Sequence, residues 1–344
     1  LPSPESRPPV LQALVNGALR APLRHDAAGQ WFLNTGHTGL HRPGYEAMLA
    51  ALRVRPLYVI HDLIPLTHPQ FCREPEARLH AQRMALALRT GAALVCNSHA
   101  TWEGLESFAA GQGLPMPPSR VALLGTDPVD AAALAAARAQ RPLASPYFLM
   151  VGTIEPRKNH LLVLQVWQRL VRERGRAAPM LVLIGQQGWE CEHVMRLLER
   201  APELREHVVR LGHCTDPDMR RWIAHAQALL FPSFVEGFGL PVLEALRSGV
   251  PVIAADLPVY REFADELPEY LDPLDAAGWQ AAITAYADSD HRRRRQRIDA
   301  LAGFVGPSWA DHFERVDDLM DRVDHRRHAA SPMALSAATA CLAP

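Results

Sequence analysis

Two glutamates, Glu236 and Glu244, are separated by seven residues that include a glycine-containing loop. Glu236 follows a predicted strand, and Glu244 lies inside a predicted helix that has Pro241 in its first turn. Gly237 and Gly239 allow the backbone to approach a ligand closely. The free N–H groups and the dipole of the helix favour a phosphate at its start. The segment therefore predicts a phosphate cradle between two hydroxyl-binding acids, as a nucleoside diphosphate sugar would require. The alternative is that Glu236 caps a loop and Glu244 is a surface acid.

Two adjacent cations, Arg157 and Lys158, lie in another predicted loop between a strand and a helix. Positive charge at the start of a helix opposes the helix dipole, so a solvated pair at this position carries an electrostatic cost. An anion bound there removes that cost, and a cation stabilises charge that develops on a leaving group. We therefore predict that both side chains bind a diphosphate.

Four polar residues follow apolar strands in the first half of the chain and are candidates for lining a cleft. They are His61 and Asp62, after residues 57–60, and Asn97 and Ser98, after residues 92–96. His61 either bonds a sugar hydroxyl or the reacting centre, or caps the end of its strand. Asp62 either faces the cleft or caps the next turn. Asn97 and Ser98 either contact the donor phosphate or cap a helix that begins near Thr101.

Charge and composition narrow the class of protein. The net charge of -1 gives no basic field, which argues against a nucleic-acid partner. Five irregularly spaced cysteines predict reduced thiols in a cytosolic compartment and not a disulfide framework or a zinc site. No apolar run reaches the roughly 20 residues of a membrane helix, and the start has no signal-peptide pattern. We therefore expect a cytoplasmic protein. The arginine-rich residues 291–297 form a solvated helix face or, alternatively, a peripheral contact with the inner face of the membrane.

Short apolar runs alternate with helical segments, which predicts βα units around parallel sheets. The predicted strands are residues 31–33, 57–60, 92–96, 147–151, 180–184, 208–211, 228–231 and 252–254. The predicted helices are residues 10–19, 74–88, 159–173, 190–200, 217–226, 241–248 and 309–323. In the last helix, an apolar stripe is formed by Phe313, Val316, Leu319, Met320 and Val323. In a doubly wound sheet, ligands bind beyond the carboxyl ends of the strands, where the loops lie.

These motifs resemble the retaining glycosyltransferase family four, which has the GT-B fold. The segment from Glu236 to Glu244 matches its E-x7-E signature, and residues 231–233 and 245–254 match on either side. Residues 151–159 and 211–213 agree with the same family. Residues 61–69 and Asn97-Ser98 resemble the subset that contains bacterial mannosyl- and rhamnosyltransferases of surface polysaccharides.

The resemblance implies a fold and a role for each site residue. It implies two Rossmann-like domains that face a cleft, one on the acceptor side and one around the donor, with a helix at 307–326 crossing back to the first domain. The Ala-rich segment at residues 131–139 and the prolines after it mark the predicted boundary, so residues 1–142 form the first domain and residues 143–306 the second. The Ala- and Ser-rich residues 327–344 are predicted to be a disordered tail. The catalytic residues that it implies are His61, Arg157, Lys158 and Glu236; further donor contacts are Gly152, Thr153, His213, Gly237, Phe238, Gly239, Leu240 and Glu244; Asp62, Asn97 and Ser98 would line the cleft. Many relatives carry an arginine where Thr153 stands, so the phosphate clamp rests more on Arg157 and Lys158.

The activity that the resemblance implies is transfer of a hexose, mannose from GDP-mannose, to a lipid-linked or polysaccharide acceptor. No metal or cofactor is expected to be required, because basic side chains and a helix terminus replace the metal cation at the diphosphate. A UDP- or ADP-sugar is the alternative donor. Because the chain lacks an initiator Met and the strand and glycine-rich loop that usually begin such proteins, a truncated or non-catalytic sugar-nucleotide-binding module is a further alternative. A Rossmann oxidoreductase is disfavoured, since Gly237 and Gly239 are not followed by the third glycine of GxGxxG.

Overall fold

The computed structural model describes residues 27–126, 130–288 and 290–330. The helix predicted at residues 10–19 lies outside these ranges, as does the predicted tail from residue 331 onwards. The last helix continues to Ala330, so residues 327–330, which were predicted to be disordered, are helical.

The first domain is built on a four-stranded parallel sheet with the order β1-β2-β3-β4. Its strands are β1 (Trp31–Asn34), β2 (Arg55–Ile60), β3 (Ala93–Cys96) and β4 (Ser119–Val121). Its helices are α1 (Tyr45–Leu52), α2 (Ile64–Thr67), α3 (Glu76–Thr90) and α4 (His99–Gln112). One face of the sheet buries Tyr58, Ile60 and Leu94 against α3 and α4, where Met84 and Leu105 are fully buried.

The second domain is built on a six-stranded parallel sheet with the order β10-β9-β8-β5-β6-β7. Its strands are β5 (Tyr147–Val151), β6 (Met180–Ile184), β7 (Val208–Leu211), β8 (Leu229–Phe231), β9 (Val252–Ala255) and β10 (Glu269–Leu271). Its helices are α5 (Ala131–Ala139), α6 (His160–Arg174), α7 (Glu192–Arg200), α8 (Pro202–Arg205), α9 (Asp216–Ala224), α10 (Leu240–Arg247), α11 (Pro258–Ala264), α12 (Ala276–Ala287) and α13 (Arg292–Ala300).

The order of this sheet places a crevice at its centre. The chain runs outwards from β5 through β6 to β7 and then returns to β8, which pairs with β5 at Leu149 and Leu229. Strand order therefore reverses between β5 and β8, and the loops that leave these two strands diverge to opposite faces of the sheet. Such a switch point is where doubly wound sheets bind ligands. The two loops that follow β5 and β8 contain most of the predicted donor residues, whereas His213 follows β7 and Glu244 lies inside α10.

The Ala-rich segment, which marked the predicted domain boundary, forms helix α5. Asp130 caps it by accepting a hydrogen bond from the Ala132 N–H at 2.9 Å. The helix packs against α9, and Arg138 reaches the Ser248 carbonyl at 3.2 Å. The domain limits stay a prediction, but this helix lies against the second sheet's helices and not against the first sheet.

The last helix, α14 (Trp309–Ala330), returns to the first domain. Val316, Leu319 and Val323 pack on the face of the first sheet that carries Leu57 and Val95. The prediction for Phe313 is wrong: its side chain is 57% exposed and stacks on Trp309 of the same helix, with ring centroids 5.9 Å apart. The crossing helix is thus confirmed, although its apolar stripe begins at Val316.

Candidate functional site

The loop after β5 is shaped by backbone conformations that suit only certain residues. Gly152 has φ 144°, and Asn159 has φ 57° at the end of a 3-10 turn that spans Pro156–Lys158. The Asn159 side chain donates to the carbonyls of Pro232, at 3.3 Å, and Pro273, at 2.8 Å. Because Pro232 directly follows β8, these bonds tie the first loop to the second.

The loop after β8 ends at Gly239, which precedes α10 with φ 110°. A Cβ atom on Gly239 would lie 2.7 Å from the buried Tyr260 ring, so both the conformation and the space require glycine. Phe238 is buried and stacks on Phe263 at 4.8 Å. The loop is therefore anchored on its inner side, while the first turn of α10 is left at the edge of the crevice.

The cations of the first loop meet the acid of the second. Arg157 Nη1 lies 2.6 Å from Glu236 Oε2, and Lys158 Nζ lies 2.5 Å from Glu236 Oε1. Arg157 is held further by Glu155 Oε1, 2.6 Å from Nη2, and by the Val235 carbonyl, 3.0 Å from Nη1. The side chains are mostly buried, with exposed fractions of 17% for Arg157, 12% for Lys158 and 8% for Glu236.

The electrostatics of this cluster follow from burial and pairing. Burial acts to raise the pKa of the Glu236 carboxyl, but the Lys158 and Arg157 cations outweigh it and hold that pKa below its usual value. Burial likewise acts to lower the pKa of Arg157, and the Glu236 and Glu155 carboxylates outweigh it and raise that pKa. The Glu236 carboxylate and the Arg157 guanidinium are therefore charged at neutral pH, and the cluster places two basic side chains against two acidic ones.

Glu244 lies apart from this cluster, on the same helix α10. It lines a cavity of about 240 Å³ together with Asp216, Arg220 and Leu134. Burial raises the pKa of the Glu244 carboxyl, and the nearby charge of Asp216 adds to the effect. Among the described residues, no hydrogen bond or ion pair reaches this carboxylate. An acid in this state can accept hydrogen bonds from a hydroxyl-bearing ligand.

The end of β2 in the first domain packs against the glycine loop, the segment from Gly237 to Gly239. A Cβ atom on Gly237 would lie 2.4 Å from the His61 carbonyl and 2.9 Å from the Asp62 Cβ, so the two domains meet here without room for a side chain. The His61 Nε2 lies 2.7 Å from the Thr35 carbonyl, and the backbone N–H of His61 donates to His37 Nε2 at 3.3 Å. His61 therefore lies where the first domain meets the loop of Gly237.

The other predicted cleft residues serve partly as caps. Asp62 accepts from the Ile64 N–H at 3.0 Å, as expected of a turn cap. Ser98 accepts from the Thr101 N–H at 3.0 Å as the N-cap of α4, and it also donates to the Gly237 carbonyl at 3.1 Å. Asn97 is buried, and its Oδ1 has no partner among the described residues.

Some predicted residues lie outside the central cluster. His213 is exposed beyond β7, and Thr153 packs its methyl group beside Gly188, where a Cβ would lie 2.7 Å away. Leu240 opens α10. Glu155 and Glu262 were not predicted as site residues. Glu262 accepts from the backbone N–H groups of His99, at 2.6 Å, and Ala100, at 2.9 Å, across the domain boundary. The position of Glu155, two residues before Arg157, is the sequence signal that could have identified it as a site residue.

Among the described residues, no helix combines the length and the apolar character that crossing a membrane requires.

Two parallel-sheet domains facing one crevice define a GT-B protein. The fold is similar to Anabaena Alr3699/HepE in complex with UDP, with a TM-score of 0.62, 17% identity and coverage of 91% of this chain and 82% of that one. Residues 135–300 match the family Glycosyl transferases group 1. The chain therefore carries a glycosyltransferase group 1 domain.

Two relatives by sequence are mannosyltransferases of Escherichia coli. Serotype-specific mannosyltransferase WbdA of Escherichia coli is 32% identical over 262 residues, which cover 71% of this chain and 31% of WbdA. O-antigen chain mannosyltransferase B of Escherichia coli is 37% identical over 164 residues, 47% of this chain and 42% of that protein. The chain thus matches less than half the length of either relative.

Proposed function

We propose that this protein is a retaining glycosyltransferase that moves a hexose, mannose from GDP-mannose, to a glycan or lipid-linked acceptor. The observation that supports it most is the meeting of Arg157, Lys158 and Glu236, with Glu236 in the loop that leads into α10. Two cations and a set of free helix N–H groups suit a diphosphate. An adjacent carboxylate suits the hydroxyls of the sugar.

Different residues of the site contact different parts of the donor. Arg157 and Lys158 stabilise the charge on the departing diphosphate, the role that a metal ion fills in other transferases. Glu236 and the backbone of Gly237 to Gly239 hold the sugar, and Glu244 holds the ribose diol. His61 lines the side from which an acceptor hydroxyl approaches. The identity of two relatives as mannosyltransferases favours mannose and a surface polysaccharide acceptor.

The reaction proceeds with retention in this proposal. The diphosphate leaves from the face on which the acceptor attacks, and the leaving phosphate oxygen takes the acceptor proton. No side chain acts as a nucleophile. The bond from the anomeric carbon to the phosphate breaks as the bond to the acceptor oxygen forms.

A thermal-shift screen with GDP, UDP and ADP, each with and without EDTA, tests the donor assignment. A ligand that binds only the folded state raises the melting temperature with concentration. We expect GDP to raise it and EDTA to leave the shift unchanged. A shift with UDP or ADP alone would replace the donor, and a shift abolished by EDTA would contradict metal-independent binding. No shift with any of the three would contradict the donor site itself.

A further inference from the structure

The donor site is internally neutralised before any donor binds. Both oxygens of Glu236 are engaged, one by Arg157 and the other by Lys158. The same two cations are the groups that a diphosphate needs. A nucleotide must therefore compete with Glu236 for them.

Arg157 is fixed in this arrangement by more than Glu236. Its Nη2 is held by Glu155, whose side chain is 3% exposed, and its Nη1 also donates to the Val235 carbonyl. Lys158 Nζ lies 4.9 Å from the centre of the buried Phe231 ring. Since neither cation is free to swing out, the diphosphate has to come to them and displace the Glu236 carboxylate.

The displaced carboxylate stays buried and needs new donors. A buried charged group without hydrogen-bond partners is strongly unfavourable. The hydroxyls of a donor sugar can supply the missing hydrogen bonds, whereas a free nucleoside diphosphate has no sugar beyond its phosphates. Glu236 therefore opposes the binding of a free nucleoside diphosphate more than it opposes the binding of a nucleotide sugar.

We propose that Glu236 is a specificity determinant that makes the site discriminate in favour of nucleotide sugars against free nucleoside diphosphates, by serving as the resident counter-ion of Arg157 and Lys158. The inference rests on the proposed function and adds to it that this carboxylate promotes release of the nucleotide product. Once the sugar has left, Glu236 returns to the cations and expels the diphosphate.

Titration calorimetry with GDP and with GDP-mannose on wild-type protein and on Glu236→Gln tests this. The substitution keeps the size of the side chain and removes its charge. We expect GDP to bind about tenfold or more tightly to Glu236→Gln, because its phosphates no longer displace a carboxylate. GDP-mannose gains less or loses affinity, so the ratio of the two dissociation constants shifts towards GDP. UDP with UDP-glucose and ADP with ADP-glucose are run in parallel.

Glu244→Gln is the matched control. Because Glu244 lies in the cavity away from both cations, this change should alter the affinities for GDP and GDP-mannose together and leave their ratio at the wild-type value. Lys158→Met gives a second measurement: its effect on GDP binding should be larger in the Glu236→Gln background, where Lys158 is unpaired, than in the wild type. Glu236→Ala, which also removes the charge, replaces Glu236→Gln if that variant does not fold.

The outcomes separate the two proposals. Wild-type protein that binds a nucleotide, with equal or weaker GDP binding in Glu236→Gln, would overturn the counter-ion role and leave the proposed function intact. Wild-type protein that binds none of the six ligands would overturn both. An increase in affinity that is equal for GDP and GDP-mannose would also contradict discrimination.

Discussion

At the scale of single residues, the site depends on charges that are buried together. Lys158 contacts Glu236 at 2.5 Å with only 12% of its side chain exposed. Surface ion pairs contribute little to stability or binding, but partly buried, charge-assisted hydrogen bonds are much stronger. Lys158 should therefore matter to the donor far more than the exposed cations of the same domain.

Replacing Lys158→Met should weaken GDP binding by about 10–100-fold, the loss expected for one hydrogen bond to a charged group. Isothermal titration calorimetry measures the change. Arg169→Gln is the control, since Arg169 is 65% exposed and pairs with Glu173 on the surface of α6. Equal dissociation constants for the Lys158 variant and the control would contradict the assignment.

Glu244 should stabilise the bound nucleotide and destabilise the free protein. Its folded-state pKa is raised by burial, so the folded protein carries a cost once pH exceeds that raised value. The cost is absent below the unfolded pKa, where both states are protonated. Glu244→Gln should therefore raise the melting temperature at neutral pH, with a gain that disappears as the solution is acidified, and should reduce the further shift caused by GDP. A melting temperature that falls at neutral pH would count against this account.

Much of the site could be predicted from the sequence, because the pattern that marks each residue is contained in a short segment around it. Glu236, Arg157 and Lys158 each lie in a short loop after an apolar strand, so their placement at one edge of a sheet follows from βα alternation. Their direct contact does not follow, because β5 and β8 are adjacent only through a reversal of strand order that no local pattern encodes. Glu155 was not predicted, although its partner Arg157 lies only two residues further along the same loop.

At the scale of elements, the glycine loop before α10 is one place where the two domains meet. The missing side chain of Gly237 leaves room for the His61 carbonyl. Elements with strong periodicity, such as α6, were predicted within a residue or two. Strands β4 and β10 and helix α12 were not predicted. Each of the two strands has three residues, too few for a periodic signal, and the helix has no polar stripe that would mark it as amphipathic.

Gly237→Ala should lower the rate of sugar transfer by about 100-fold, the usual effect of displacing a catalytic group by roughly 1 Å. The added methyl would lie 2.4 Å from the His61 carbonyl and would push the domains apart. Circular dichroism should be unchanged, since each domain keeps its core. Gly111→Ala in α4 is the control: nothing lies within 4 Å of its added Cβ, and a helical alanine should stabilise the protein by roughly 0.5–1 kcal/mol without changing the rate. Equal rates in both variants would refute the close approach.

At the scale of the whole molecule, α14 joins the end of the chain to the first sheet. The helix belongs by sequence to the second half, and its buried residues pack on strands of the first. Arg55 on β2 forms an ion pair with Asp324 on the helix. The apolar stripe predicted the helix, and the family resemblance implied that it crosses back. The residue at which the stripe begins depends on where the helix meets the sheet, and Phe313 precedes that point.

Leu319→Ala should destabilise the first domain by about 2–5 kcal/mol, as expected for truncating a buried leucine. Denaturant unfolding followed by tryptophan fluorescence measures the change. Phe313→Ala should stay within about 0.5 kcal/mol of the wild type, because the ring is largely exposed. Similar losses in both variants would mean that the packing face has been assigned wrongly.

The most direct test of the donor site is the rate of sugar transfer from GDP-mannose to a mannose-terminated oligosaccharide, compared between wild-type protein and Glu236→Ala. We expect the wild type to form a product that keeps the anomeric configuration of the donor, as nuclear magnetic resonance of the new linkage will show. We expect Glu236→Ala to be slower by about 100-fold or more, since an interaction made at the reacting sugar is lost. Transfer by Glu236→Ala at the wild-type rate, or an inverted linkage from the wild type, would contradict the account.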